Sequence, residues 1–214
     1  MSARKTGLVV IFGMVWWQVV FWAMHVLEPE FSPIRAPGSA YVLGEYGAWM
    51  TTTYFALSAA LVAAGLGLAG SLPTTRLVRV ACIAFLIASI GAVIAGLFPM
   101  DFPGPPRTVS GRLHALGGAL TFPPWLFGAL LFSLSARRDK RWARRSRALL
   151  SFSAGAGCVL ILMILSIFAL GFGGYAQRVV GVLMSAWMIT VGMHLYQRSA
   201  RSQPNTPLPT SNAA

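Results

Sequence analysis

The sequence predicts an all-α integral membrane bundle of six transmembrane helices with both termini on the cytoplasmic side. Three observations carry that prediction. The chain has 214 residues, 56% hydrophobic and only 10% charged, whereas a soluble domain carries about 25% charged residues to cover its core. Six apolar stretches recur along it, each close to the roughly 20 residues that cross a bilayer as a helix. The basic residues also segregate. One set of connections holds 13 of them: Arg4, Lys5, Arg76, Arg79, seven within Arg137–Arg147, Arg198 and Arg201. The other set holds four: Arg35, Arg107, Arg112 and Arg178. The side rich in Lys and Arg is the cytoplasmic one.

The expected spans are about 7–27, 46–70, 78–98, 114–136, 148–172 and 179–197. The first follows Arg4 and Lys5, but it is longer than a signal-peptide core and no small-x-small site follows it, so it reads as a span. Continuous apolar runs, rather than short alternating segments, exclude a barrel. Small residues four apart, at Ala63–Gly67, Gly91–Ala95 and Gly181–Ser185, mark places where helix backbones approach closely. Pro123–Pro124 removes two backbone donors from the fourth span and is expected to kink it. The transmembrane domain covers 1–198. The segment 199–214, rich in Ser, Pro, Asn and Thr, reads as a disordered cytoplasmic tail. The outer connections Glu28–Gly44 and Pro99–Gly111 are rich in proline and therefore stiff.

A net charge of +12 raises the question of nucleic acid. Seven of the 17 basic residues, however, crowd between two apolar runs. That placement fits a retained cytoplasmic loop and anionic headgroups, so the expected partner is the lipid bilayer and not nucleic acid. Cys82 and Cys158 lie at unequal depths and are not expected to pair. No Cys-x-x-Cys, phosphate-binding loop, dinucleotide glycine pattern or Gly-x-Ser-x-Gly elbow is present. The Gly171–Gly174 run reads as a helix end.

Polar residues gather at the outer ends of the spans. Gln18, Trp22 and His25 share a face of the first, and Glu45, Trp49 and Thr52 follow helical spacing on the second. Asp101 closes the third. Arg112 and His114 open the fourth, and Arg178 opens the sixth. A carboxylate, an imidazole and a guanidinium brought together at membrane depth perturb one another and suit general acid–base chemistry. Glu45, Asp101, His114 and Arg178 are therefore the candidate catalytic residues, with Ser39, Arg112 and His25 as candidate substrate contacts. His25 and His114 are at the same end, but no His-x-x-His or His-Glu-x-x-His spacing occurs, so neither metal nor cofactor is predicted. His194 lies near the opposite end and reads as interfacial.

Several of these residues form a pattern. Phe98-Pro99-Met100-Asp101 is followed by His114 thirteen residues on. A Pro/Ser-rich first outer loop leads to Ser39 and Glu45. A Gly-rich stretch precedes Gln177-Arg178. With these motifs the chain resembles the bacterial and archaeal membrane family called domain of unknown function 998, over most of residues 7–197. The resemblance implies a six-helix bundle and points to Ser39, Glu45, Asp101, His114 and Arg178. It also implies an acidic residue before the last arginine, where Gln177 stands here.

The leading functional expectation is a membrane enzyme acting on a lipid or isoprenoid-like substrate from the outer leaflet of the cell (inner or plasma) membrane. Asp101 or Glu45 would be the acid or base, His114 its partner, and Arg178 or Arg112 the holder of an anionic group. Two alternatives stand beside it. One is a non-enzymatic protein: an assembly factor, sensor or small transporter using Gln18 and the broken fourth helix. The other is a haem- or quinone-linked redox component using His25 and His114.

Overall fold

Backbone amides in hydrocarbon must be satisfied within their own segment, and the chain does this with helices. The computed structural model describes residues 2–102, 104–105, 107–169 and 173–201. Its six α-helices are α1 (Ala3–Leu27), α2 (Gly47–Ala69), α3 (Arg76–Leu97), α4 (Val109–Ala136), α5 (Ala143–Ala169) and α6 (Gly173–Arg201). A 3-10 helix, Gly38–Leu43, sits between α1 and α2. All six α-helices are long and apolar enough to cross a membrane, and no strand occurs among the described residues.

The helices overrun the expected spans where charge had set the limits. α4 and α6 start five or six residues earlier than expected, taking in Arg112 and Arg178, and α5 starts within the basic loop. A helix continues past the hydrocarbon as long as its end is capped. Thr108 caps α4 by accepting from Gly111 N at 3.0 Å, and Thr75 caps α3 by accepting from Val78 N at 3.3 Å. Gly173 opens α6 instead of ending a helix, while Gly171 and Phe172 lie outside the described residues. α6 also runs on to Arg201, into the segment expected to be a tail, and residues 202–214 lie outside the described residues. Pro123 and Pro124 sit inside α4, which is helical throughout.

The six helices close into a ring in chain order: each packs on the next, and α6 returns to α1. The tightest pairing is α3 with α4. There Gly91 and Gly117 face each other so closely that a β-carbon on Gly91 would lie 2.6 Å from the Gly117 carbonyl oxygen. Gly7 and Gly192 play the same part between α1 and α6, and Gly13 lets α1 approach the Ala56 carbonyl of α2. Small residues do this because lipid offers no hydrophobic drive, leaving close dispersion contact to hold helices together. Phe85, Trp125, Phe132 and Trp187 fill the centre. The Trp187 indole N–H is satisfied by Ser133 Oγ at 3.0 Å. Among the described residues α4 and α5 form the thinnest seam of the ring.

Candidate functional site

At the end of the bundle opposite the arginine-rich loop, the 3-10 helix Gly38–Leu43 is fastened over the mouth of the ring. Three side chains hold it. Gln177 Oε1 accepts from Gly38 N at 2.6 Å. Arg178 donates from Nη1 to Ala36 O at 3.0 Å and from Nη2 to Tyr41 Oη at 3.0 Å. Ser39 Oγ donates to Met100 Sδ at 3.0 Å.

Arg178 is buried, 5% exposed, and no carboxylate is bonded to it among the described residues. Its charge is spread over neutral acceptors. Besides Ala36 O and Tyr41 Oη, it donates to Gly174 O at 2.9 Å and to His25 Nε2 at 2.8 Å. The Phe21 and Tyr41 rings lie 5.5 and 5.8 Å from its guanidinium carbon. Four of its five N–H groups are thereby used. Because Arg178 Nε only donates, His25 Nε2 is an acceptor, and the proton sits on Nδ1 facing Phe21 O at 3.0 Å. The Gln18–Trp22–His25 face continues this network. Trp22 stacks on His25 and donates to Gln18 Oε1 at 2.7 Å, and Gln18 donates to Ser185 Oγ at 2.7 Å.

The Phe98–Asp101 motif is a second fastening. Phe98 O and Ala95 O both face His114 Nδ1, at 2.9 and 3.0 Å. Pro99 O accepts from Ser110 Oγ at 2.8 Å. Asp101 Oδ2 accepts from Arg107 N at 2.6 Å and Thr108 N at 2.8 Å, and Oδ1 from Thr108 Oγ1 at 2.9 Å. Those amides, Thr108 first, hold the Asp101 carboxyl below the usual range. The motif thus joins the end of α3 to the head of α4.

Behind these fastenings lies a cavity of about 330 Å³ to which all six helices contribute. Its walls are mostly apolar. Leu160, Met163 and Ile164 of α5 and Phe122 and Pro123 of α4 line one part, and Ser39, Tyr54, His114 and Gln177 supply polar atoms. Tyr54 Oη is fully buried, with no hydrogen-bond partner among the described residues. The Ser39 hydroxyl shares the cavity wall with it but is not in hydrogen-bonding geometry to it. Since Ala95 and Phe98 carbonyls only accept, His114 Nδ1 carries the proton and Nε2 is left as an acceptor. Pro123 has no N–H, so the carbonyl of Ala119, another lining residue, loses its helical donor.

The expected site residues therefore fall into separate places. Ser39 and His114 line the cavity; Glu45, Asp101, Arg178, His25 and Arg112 do not. No hydrogen bond or ion pair joins Glu45, Asp101, His114 and Arg178 to one another among the described residues. Glu45 and Arg112 are exposed. His25 and His114 each serve a different neighbour, and no group of three metal-ligating side chains occurs among the described residues.

A family model described as "protein of unknown function (DUF998)" matches residues 11–194. The chain belongs to the DUF998 family. No curated protein and no solved structure matches it. With six apolar helices and this membership, it is a multi-pass membrane protein of unassigned activity. In this DUF998 member the Phe98–Asp101 and Gln177-Arg178 motifs act as mechanical fasteners, whereas Glu45 is exposed. Met100, Gln177 and Arg178 pin the 3-10 helix, and Phe98 and Asp101 pin α4. Two lining residues, Tyr54 and Gln177, carry no charge and so escaped a reading based on ionisable groups. A usable signal for Tyr54 exists: a phenol at helical spacing between the apolar Met50 and Leu57, in a residue that seeks a partner when buried.

Proposed function

We propose that the protein takes a lipid or isoprenoid-like molecule into this cavity, its oxygen-bearing head beside Ser39, Tyr54 and His114 and its tail toward Leu160 and Ile164. The observation that carries the reading is the unpartnered Tyr54 hydroxyl in a mostly apolar wall. Leaving such a group unsatisfied costs about 1–3 kcal/mol, which a guest oxygen would recover. The head is neutral rather than phosphorylated, because Arg178 is nearly saturated by neutral acceptors and lies outside the lining. Of the residues expected to perform acid–base chemistry, His114 is the one in reach of such a guest, with Nε2 as acceptor or base. The excess of Lys and Arg at the other end supports N-in, C-in insertion in the cell membrane, which puts the cavity toward the outer leaflet.

Gly118 supplies the test. It lines the cavity, and a β-carbon placed on it meets nothing within 4 Å among the described residues. Gly118→Leu should fill the space while the protein stays folded. Native mass spectrometry of the detergent-solubilised wild type should show a copurifying non-phosphorylated amphiphile, absent from Gly118→Leu and reduced in Tyr54→Phe. An empty wild type, or an identical guest in Gly118→Leu, would overturn the reading.

A further inference from the structure

The arginine-rich end of the bundle carries charges that the fold does not use. Its one carboxylate among the described residues, Asp139, is taken by Arg141 at 2.6 Å, and this pairing holds the Asp139 carboxyl down at about 2. Arg145 donates to Gln197 Oε1 at 2.6 Å and lies 3.2 Å from His194 Nδ1. Arg137, Arg138 and Arg147 differ: they are exposed, and their guanidinia have no hydrogen bond or ion pair among the described residues.

These three line two grooves that share Arg137. One, of about 540 Å³, lies along the start of α5 and is walled by Arg137, Arg147, Leu150 and the hydroxyl-bearing Ser146 and Ser151. The other, of about 460 Å³, lies between α3 and α4 and is walled by Arg137, Arg138, Leu77 and Leu134. The spacing is that of helix faces. Leu134 sits one turn before Arg137 and Arg138, and Leu150 one turn beyond Arg147, so in each groove the leucine is one turn deeper in the helix than the charge. Leu77 and Leu134 are 41% and 45% exposed. A guanidinium at the headgroup level above an apolar wall suits a phosphate carrying acyl chains, because the charge-assisted bonds and the chain contacts are made by one molecule.

We infer that the paired grooves bind an anionic phospholipid bearing two phosphates, one in each groove, with Arg137 between them and the acyl chains against Leu77, Leu134 and Leu150. This site is independent of the cavity at the opposite end and of what that cavity holds. It differs from general attraction of a basic loop to a charged surface in needing three particular arginines.

The test compares two charge-matched triple variants of the full chain. One is Arg137→Gln/Arg138→Gln/Arg147→Gln. The other is Lys5→Gln/Lys140→Gln/Arg144→Gln, at the same end but lining neither groove. Native mass spectrometry in detergent, after adding equal amounts of diphosphatidylglycerol, phosphatidylglycerol and phosphatidylcholine, reads the retained lipid. Each guanidinium–phosphate bond lost removes roughly tenfold in affinity, so the groove triple should lose diphosphatidylglycerol by about tenfold or more. The control triple lines neither groove and gives up no such bond, so it should lose about twofold or less. Thermal unfolding of both lipid-free variants should match the wild type. Equal loss in the two triples, equal retention of the one- and two-phosphate lipids by the wild type, or displacement by millimolar inorganic phosphate would overturn the inference.

Discussion

Arg178 shows how a buried cation persists with no carboxylate bonded to it among the described residues. Two backbone carbonyls, an imidazole lone pair and a phenol oxygen share its protons, and two aromatic faces lie beside it. Hydrogen bonds to a charged group are worth about 1.5–3 kcal/mol each, so a truncation that orphans four partners is expensive. Arg178→Ala should destabilise the protein by about 3 kcal/mol or more, and Arg178→Lys should recover only part of that because an ammonium lacks the planar fork. Thermal unfolding in detergent checks both. Glu28 offers a pH-dependent counterpart. It is 2% exposed, and its Oε1 accepts from Tyr46 N at 2.6 Å. Burial pushes its carboxyl above the ordinary 4.5; the Tyr46 amide opposes this, and Glu30 and Glu45 reinforce it. A raised acid binds more protons folded than unfolded, so its contribution is fully present below 4.5 and is lost as pH rises through the higher folded value. Stability should therefore climb as the pH falls toward 4.5, and Glu28→Gln, which stays neutral and keeps the acceptor, should remove that climb from a pH series of melting curves.

At the scale of the helix, glycines on two neighbouring elements invite opposite outcomes. Gly91 on α3 would drive a β-carbon to within 2.7 Å of the Leu120 carbonyl carbon and Thr121 nitrogen, atoms of the α4 backbone that have no rotamer to yield. Gly91→Ala should cost about 1–3 kcal/mol. Gly118 on α4 faces open space, and Gly118→Ala should gain about 0.5–1 kcal/mol from helix propensity alone. Melting temperatures of the two variants should move in opposite directions. The sequence marks Gly91–Ala95 as a contact through its spacing, yet gives no hint that Gly118 borders a void, because emptiness depends on what the other helices withhold. The Phe98–Asp101 run was similarly half legible. Its position at a helix end can be read directly. Its work, however, is done by a carbonyl, a thioether and a carboxylate that accepts amides, and those roles depend on where Ser39, Thr108 and His114 arrive.

For the whole molecule, the six apolar runs and the sorting of Lys and Arg were legible because hydrocarbon imposes one answer on backbone polarity and one on charge. The site was less so. A search for ionisable groups finds Glu45, Asp101 and Arg178, whereas the cavity is bordered by uncharged Ser39, Tyr54 and Gln177 together with His114. The proposed insertion can be checked with a reporter active only outside the cytoplasm. It should be silent when fused after Arg201 or placed at Lys140 and active when placed at Gly104, the loop residue with φ of 108°.

The weak seam between α4 and α5 bears on how any guest is measured. Both helices line the cavity, and they are the neighbours least committed to each other. A hydrophobic visitor would slip in sideways from the surrounding leaflet without ever dissolving in water. Its occupancy would then follow its mole fraction among the lipids, and titrations plotted against bulk molarity would scatter until rescaled to that ratio.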